Sequence, residues 1–304
     1  MLVVLGICCS VCIIVAPRRI PVTDRQTLTH LLNTLTPTVV DGDNFTAANT
    51  HPEGPRLYGG QVLAQTLRAA VMTIEPDRRV HSQHAYFLRP GDPAVAVELE
   101  VERARDGGSF SSRRVVAHQH GRPILVSSLS FQKPEQSDEY ALEMPDIPGP
   151  EGLQSERARE LANGEINPQF MIVTGSDLDV RVVNPVDWVK PVAREPVLQA
   201  WMKTTAPVAD EPGLHEGLLA YMSDAFLIDV ALITHGKHYS EGMQCASLDH
   251  AIWFHAPFRA DEWLLHITEA QRLGGGRGLS HGRFYNTAGA LVATCMQESL
   301  MRQL

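Results

Sequence analysis

The sequence predicts an α+β fold made of two fused copies of one unit, each a long helix followed by an antiparallel sheet. Three observations carry this reading. First, landmarks recur at a nearly fixed distance along the chain. His84-Ala85-Tyr86-Phe87-Leu88 resembles His250-Ala251-Ile252-Trp253-Phe254, 166 residues later; Gly107-Gly108 is matched by Gly274-Gly275, and Gln132 by Gln297. Second, each copy has an apolar run at helical spacing upstream of these landmarks. Third, the segments after each run alternate apolar and polar residues, the pattern of half-buried strands.

In the first copy, Leu63, Leu67, Ala70, Val71 and Ile74 mark the helix, with Gly59 and Gly60 just before it. Three strands follow: Val95–Glu102, Ser109–Gln119 and Ile124–Gln132. In the second, Leu218–Ile233 is apolar nearly all round and reads as one continuous helix buried on most sides. Trp263–Thr268, Gly282–Tyr285 and Leu291–Gln297 are its strands. Gly121 and Gly289 stand at the expected hairpin turns. Between the copies lies a proline-rich stretch with Pro134, Pro145, Pro148 and Pro150, read as a linker with one short helix near Ser155–Ala162. The expected organisation is an apolar extension over 1–22, a first unit over 23–135, a linker over 136–169 and a second unit over 170–304.

Composition narrows the function. Of 304 residues, 44% are hydrophobic, enough for a substantial core, and the net charge is −9. That balance argues against a nucleic-acid binder, which concentrates Lys and Arg. The five cysteines are Cys8, Cys9, Cys12, Cys245 and Cys295, without zinc-type spacing. No metal or cofactor is expected, and the body of the chain reads as reduced and cytoplasmic. Residues 2–16 are strongly apolar, but a membrane helix needs about 20 such residues. Arg18 and Arg19 follow this run, whereas a signal peptide carries its basic residues first. The extension is therefore expected to be non-structural, with no stable membrane insertion, although its apolar character leaves membrane association open. The C-terminal Met-Arg-Gln-Leu does not match a Ser-Lys-Leu type peroxisomal address.

A helix wrapped by an antiparallel sheet, twice in one chain, is a double hotdog arrangement, and particular strings make the resemblance specific. Leu57-Tyr58-Gly59-Gly60-Gln61-Val62, His84 to Asp92 and Arg105 to Phe110 resemble the first half of type II (TesB-like) acyl-CoA thioesterases. Ser247-Leu248-Asp249-His250-Ala251-Ile252-Trp253-Phe254-His255 and Gln297-Glu298 resemble the second half. The resemblance runs from about residue 27 to the C-terminus. It implies an acyl-CoA substrate, hydrolysis to free fatty acid and CoA, and assembly into a homodimer or homotetramer. It also implies that Asp224, Ser247 and Gln297 orient an attacking water. Ser247 stands where bacterial relatives often carry Thr.

The implied chemistry is physically coherent. A thiolate leaves readily, because a thiol's pKa is about 8.5. The enzyme then needs a base for water and donors for the oxyanion. Asp224 sits among apolar neighbours that would raise its pKa toward a useful value. Asp229, similarly flanked, is a weaker candidate. His250 reads as structural, because His84 is its apparent counterpart. Gly59 and Gly60 could present backbone donors at a helix start. Arg89, Arg105, Arg113, Arg114, Arg277 and Arg283 are available for CoA phosphates. Substrate contacts are thus expected from Gly59, Gly60, His250 and Arg277. A hotdog acyl-CoA binder without catalysis and an enoyl-CoA hydratase are the alternatives. The latter needs an Asp-His hydratase loop that is not found, and no Gly-x-Ser-x-Gly elbow of a serine hydrolase is present.

Overall fold

A computed structural model describes residues 27–49, 56–163, 175, 177–188, 190–237 and 242–304. The apolar extension over 1–22 lies outside the described residues.

The chain begins with α1 (Leu28–Thr34), capped by Thr27, whose hydroxyl accepts from the His30 N–H. The short hairpin β1 (Thr38–Asp41) and β2 (Asn44–Ala47) turns at Gly42 with φ 54°. Helix α2 (Gly59–Val71) follows, then β3 (Arg79–Phe87), β4 (Val97–Asp106), β5 (Phe110–Gln119) and β6 (Arg122–Gln132). The connecting stretch carries α3 (Glu156–Asn163), the expected short helix. Next come β7 (Leu178–Val182), β8 (Val197–Thr204), α4 (Leu214–Ser223) and the single turn α5 (Asp229–Leu232). The chain closes with β9 (Met243–Ser247), β10 (Asp249–Phe254), β11 (Leu264–Gly274), β12 (Arg277–Asn286) and β13 (Leu291–Gln303).

All strand pairings are antiparallel, in one sheet ordered β1-β2-β4-β5-β6-β3-β10-β13-β12-β11-β8-β7, with β9 on β13. The halves join where β3 meets β10, pairing His250 with Ala85 and Ile252 with Gln83. Helix α2 buries Leu63, Leu67 and Ala70 against Leu99, Val115, Leu125 and Phe131 of the first half. Helix α4 uses two faces: Leu218 and Met222 pack with β7 and β8, while Leu219 packs with Ile252, Phe284 and Cys295. The connecting stretch crosses the outer face of the second half. There Met144, Ile147 and Leu153 cover Trp201, Leu265 and Tyr285, and the Trp201 indole donates to the Pro148 carbonyl.

Two expectations are corrected. The apolar run Leu218–Ile233 is not one helix. α4 stops at Ser223, Asp224 takes the C-cap, and Phe226 adopts a left-handed φ of 69° before α5 begins. Hydrophobicity announces burial but not continuity. The matched repeats are also out of phase. In β3 Gln83 and Ala85 are buried and His84 between them is exposed; in β10 His250 is buried. Likewise Gln132 lies on the face opposite Ser127, Leu129 and Phe131, whereas Gln297 points inward. A one-residue offset moves a strand residue to the other face. The hairpin glycines Gly121 (φ 66°) and Gly289 (φ 84°) give the better register, which places Gln297 opposite in role to Leu129, not Gln132.

Candidate active site

The break after α4 places a carboxylate at a helix end inside the protein. Asp224 is half-buried among apolar neighbours and adjoins the C-terminal pole of α4, whose free carbonyls disfavour negative charge. Both halves of the chain hold it. The N–H of Gly60, in the first turn of α2, donates to Asp224 Oδ2 at 2.9 Å. The Ser247 hydroxyl, at the end of β9, reaches Oδ1 at 3.5 Å. Helices α2 and α4 run antiparallel, so the positive end of one faces the negative end of the other and the carboxylate sits between them.

Glycine makes this approach possible. A Cβ on Gly60 would stand 2.4 Å from the Tyr221 carbonyl oxygen, and one on Gly59 would stand 2.7 Å from Asp224 Oδ2. Tyr58 seals the junction: its hydroxyl donates to the Tyr221 carbonyl at 3.0 Å, and the two rings meet edge-on at 5.2 Å.

Burial pushes the Asp224 carboxyl up to about 7, and the nearby charge of Asp229 adds to the push. The Gly60 N–H, the Arg56 charge and the Ser247 hydroxyl act in the opposite direction. Asp229 opens α5 and is itself buried. The Arg56 guanidinium donates to the Cys245 carbonyl at 3.1 Å, two residues before Ser247.

Gln297 belongs to a buried polar row on the inner face. The β10–β13 register brings His250 opposite Gln297, and their side chains meet at 2.9 Å between Nδ1 and Oε1. Gln297 Nε2 donates to Ser299 Oγ at 3.1 Å, and Ser299 pairs across the sheet with Ser247. His250 Nε2 lies 2.9 Å from Ser223 Oγ, beside Asp224 in sequence. Of the expected trio, Ser247 reaches Asp224 directly, while Gln297 is linked to it only through intervening residues: His250 and Ser223 on one side, and Ser299, the cross-strand partner of Ser247, on the other.

Other expectations fare differently. Arg277 lies on the outer face in an ion pair with Glu298 at 2.8 Å, away from this row. Arg113 is buried in the first half against Thr73 and Asp106. Arg114 pairs with Glu102, and Arg283 with Glu269. Sequence reasoning missed Arg56, Tyr58, Ser223 and Ser299. The first two lie in or beside the Leu57-Tyr58-Gly59-Gly60 string, the one signal that pointed to them. Serines in a helix end and a strand carry none. Among the described residues, no helix is long and apolar enough to cross a membrane.

The sequence pattern of the acyl-CoA thioesterase N-terminal domain matches residues 46–132, and that of the acyl-CoA thioesterase C-terminal domain matches residues 144–301. Mouse acyl-coenzyme A thioesterase 8 is 38% identical over 262 residues, spanning 83% of this chain and 82% of that protein. Acyl-CoA thioesterase 2 of Haemophilus influenzae is 36% identical over 254 residues, spanning 81% and 88%. Among solved structures, acyl-CoA thioesterase II TesB2 from Mycobacterium marinum superposes with a TM-score of 0.75 at 38% identity, covering 90% of this chain and 98% of that one. A hot dog fold protein from Alicyclobacillus acidocaldarius, at 17% identity and a TM-score of 0.73, shares the fold. With both halves matched and the double hotdog architecture in place, the chain belongs to the type II acyl-CoA thioesterase family and is a thioester hydrolase.

Proposed function

We propose that Asp224 is the general base of acyl-CoA hydrolysis, with Ser247 and Gln297 holding the attacking water. The observation that carries this reading is the carboxylate at the helix break. It is poised near neutral pH and oriented by the Gly60 N–H on one oxygen and the Ser247 hydroxyl on the other. The ionised carboxylate accepts a proton from water as the water oxygen bonds to the thioester carbon. Collapse of the tetrahedral intermediate breaks the C–S bond. The thiolate of CoA departs and recovers the proton, leaving the fatty acid. The substrate carbonyl becomes an oxyanion during this step and needs hydrogen-bond donors of its own; the Gly60 N–H, read from the sequence as such a donor, is engaged by Asp224.

A single turnover in 18O-water tests the assignment. A general base predicts one labelled oxygen in the released fatty acid and none in the protein. Label in the Asp224 carboxylate would show a covalent acyl-aspartate instead. Cytoplasmic residence and assembly as a homodimer or homotetramer belong to the same proposal; the two buried cysteines of the described residues, Cys245 and Cys295, are free thiols. Light scattering on purified protein settles the assembly.

A further inference from the structure

Gln297 carries an amide whose two ends do opposite things: one accepts, the other donates. Which end faces the reacting water decides what the residue can do. Three fully buried side chains surround it: His250, Ser299 and, one step further, Ser223. His250 is neutral, because burial drives its pKa down to about 4. A neutral ring has a single N–H to give.

The Ser223 hydroxyl lies 2.9 Å from both the Ala220 carbonyl and His250 Nε2. If its proton went to Ala220, the ring proton would sit on Nε2, and the bare Nδ1 would face the Gln297 carbonyl, lone pair to lone pair. With Oε1 at 2.9 Å from Nδ1, the arrangement that satisfies the amide puts the ring proton on Nδ1 and turns the Ser223 hydroxyl toward Nε2. Gln297 then directs its NH2 end to Ser299, whose strand neighbour across β9–β13 is Ser247. One Nε2 hydrogen is given to Ser299, which leaves the second available to a further acceptor.

We propose that His250 and Ser223 are positioning residues: Ser223 fixes the His250 tautomer, and His250 Nδ1–H pins Gln297 so that it presents a donor, not an acceptor, beside Asp224. Asp224 then takes the proton and Gln297 gives a hydrogen bond, so the two do not compete for one water proton. This inference rests on the role proposed for Gln297.

A double-mutant cycle tests it with acyl-CoA and thiol-release kinetics. In the parental background, His250→Leu is expected to lower kcat by about 10²-fold with KM nearly unchanged, the scale of a misaimed catalytic group. His250→Asn, which keeps a donor near the Nδ1 position, restores most of that loss. In a Gln297→Ala background, His250→Leu costs no further kcat, because the residue acts through the missing amide. If His250→Leu does not fold, Ser223→Ala replaces it in the cycle, since the ring proton can then move to Nε2. The 15N shifts of the His250 ring report that move. Losses that multiply, or a parental kcat for folded His250→Leu while Gln297→Ala is slow, would overturn the positioning role alone. A parental kcat for Gln297→Ala would overturn the reading beneath it as well.

Discussion

The two halves share one sheet geometry and use their inner faces for different purposes. In the first half, α2 runs unbroken, and the inward amide is Gln83. Its NH2 end secures its own helix and strand: its two hydrogens are shared among the Leu63 carbonyl, Thr66 Oγ1 and Ser127 Oγ, at 3.0, 3.0 and 3.2 Å from the nitrogen. In the second half the helix stops at Ser223, and the inward amide Gln297 is held by a histidine on β10 and by a serine two residues on in its own strand. One amide is consumed by packing, and the other is supported from behind. The first half contributes to the site chiefly through backbone, the Gly60 N–H, and the second through side chains. A duplicated fold can divide labour in this way because a helix N-terminus offers donors whatever its side chains are.

The sharpest break of this comparison is Asp224→Asn. If no group in the first half can replace the carboxylate, kcat falls by about 10²–10⁴-fold in the thiol-release assay, with KM little changed. The same residue sets two pH responses. Because the base must be ionised, kcat/KM rises with pH and levels off above about 7, the raised pKa. Stability moves the other way. A carboxyl whose pKa is raised on folding contributes stability that is full below its unfolded pKa of about 3.9 and is lost as pH rises through about 7. The Asn variant therefore melts higher than the parent at pH 8 and loses that advantage near pH 4, in thermal scans at both pH values.

Gly60→Ala attacks the junction itself. The added methyl meets the Tyr221 carbonyl, so α2 and α4 must separate; we expect a loss of about 1–3 kcal/mol in chemical denaturation, with a fall in kcat as the N–H leaves the carboxylate. Gln83→Leu sharpens the contrast from the opposite side. It removes a buried donor that three acceptors share, costing about 1–3 kcal/mol of stability, while kcat of the folded protein stays parental. The smallest effect is at Ser247. Ala there should lower kcat up to about tenfold, the worth of one neutral hydrogen bond of about 0.5–1.5 kcal/mol, whereas Thr keeps the hydroxyl and matches or exceeds the parent. Equal rates for Ala and the parent would remove Ser247 from the mechanism.

What could be read in advance follows from which signals are local. Strands β4, β5 and β6 announced themselves by alternation, and so did parts of β11–β13. The Gly59-Gly60 start of α2 was visible too. Strands β1, β2, β7 and β9 are five residues or fewer, too short for a period to show. The break at Asp224 has no proline or glycine to mark it; it is imposed by the packing of Phe226 and Tyr221 in the surrounding core. The His84–His250 match failed for a simpler reason. Identical letters a fixed distance apart say nothing of face when a bulge lies between Val80 and Ser82. The carboxylate stood out because a charge in an apolar run is costly without a partner or a purpose, and the family resemblance then gave it its role. Of its surroundings, Gly60 was legible only as a backbone donor at a helix start and Ser247 only through the family resemblance, while Ser223 and Ser299 carried no signal, because serines at helix ends and in strands are common.

The bond from Gly60 to Asp224 also makes the chain between the halves a tether. A site whose two parts sit on separate folding units would work only at concentrations that drive them together; joined in one chain, each half meets the other at a fixed effective concentration. Cutting that span would turn a first-order assembly into a second-order one. Activity would then depend on dilution, and an enzyme indifferent to its own abundance would become one that senses it.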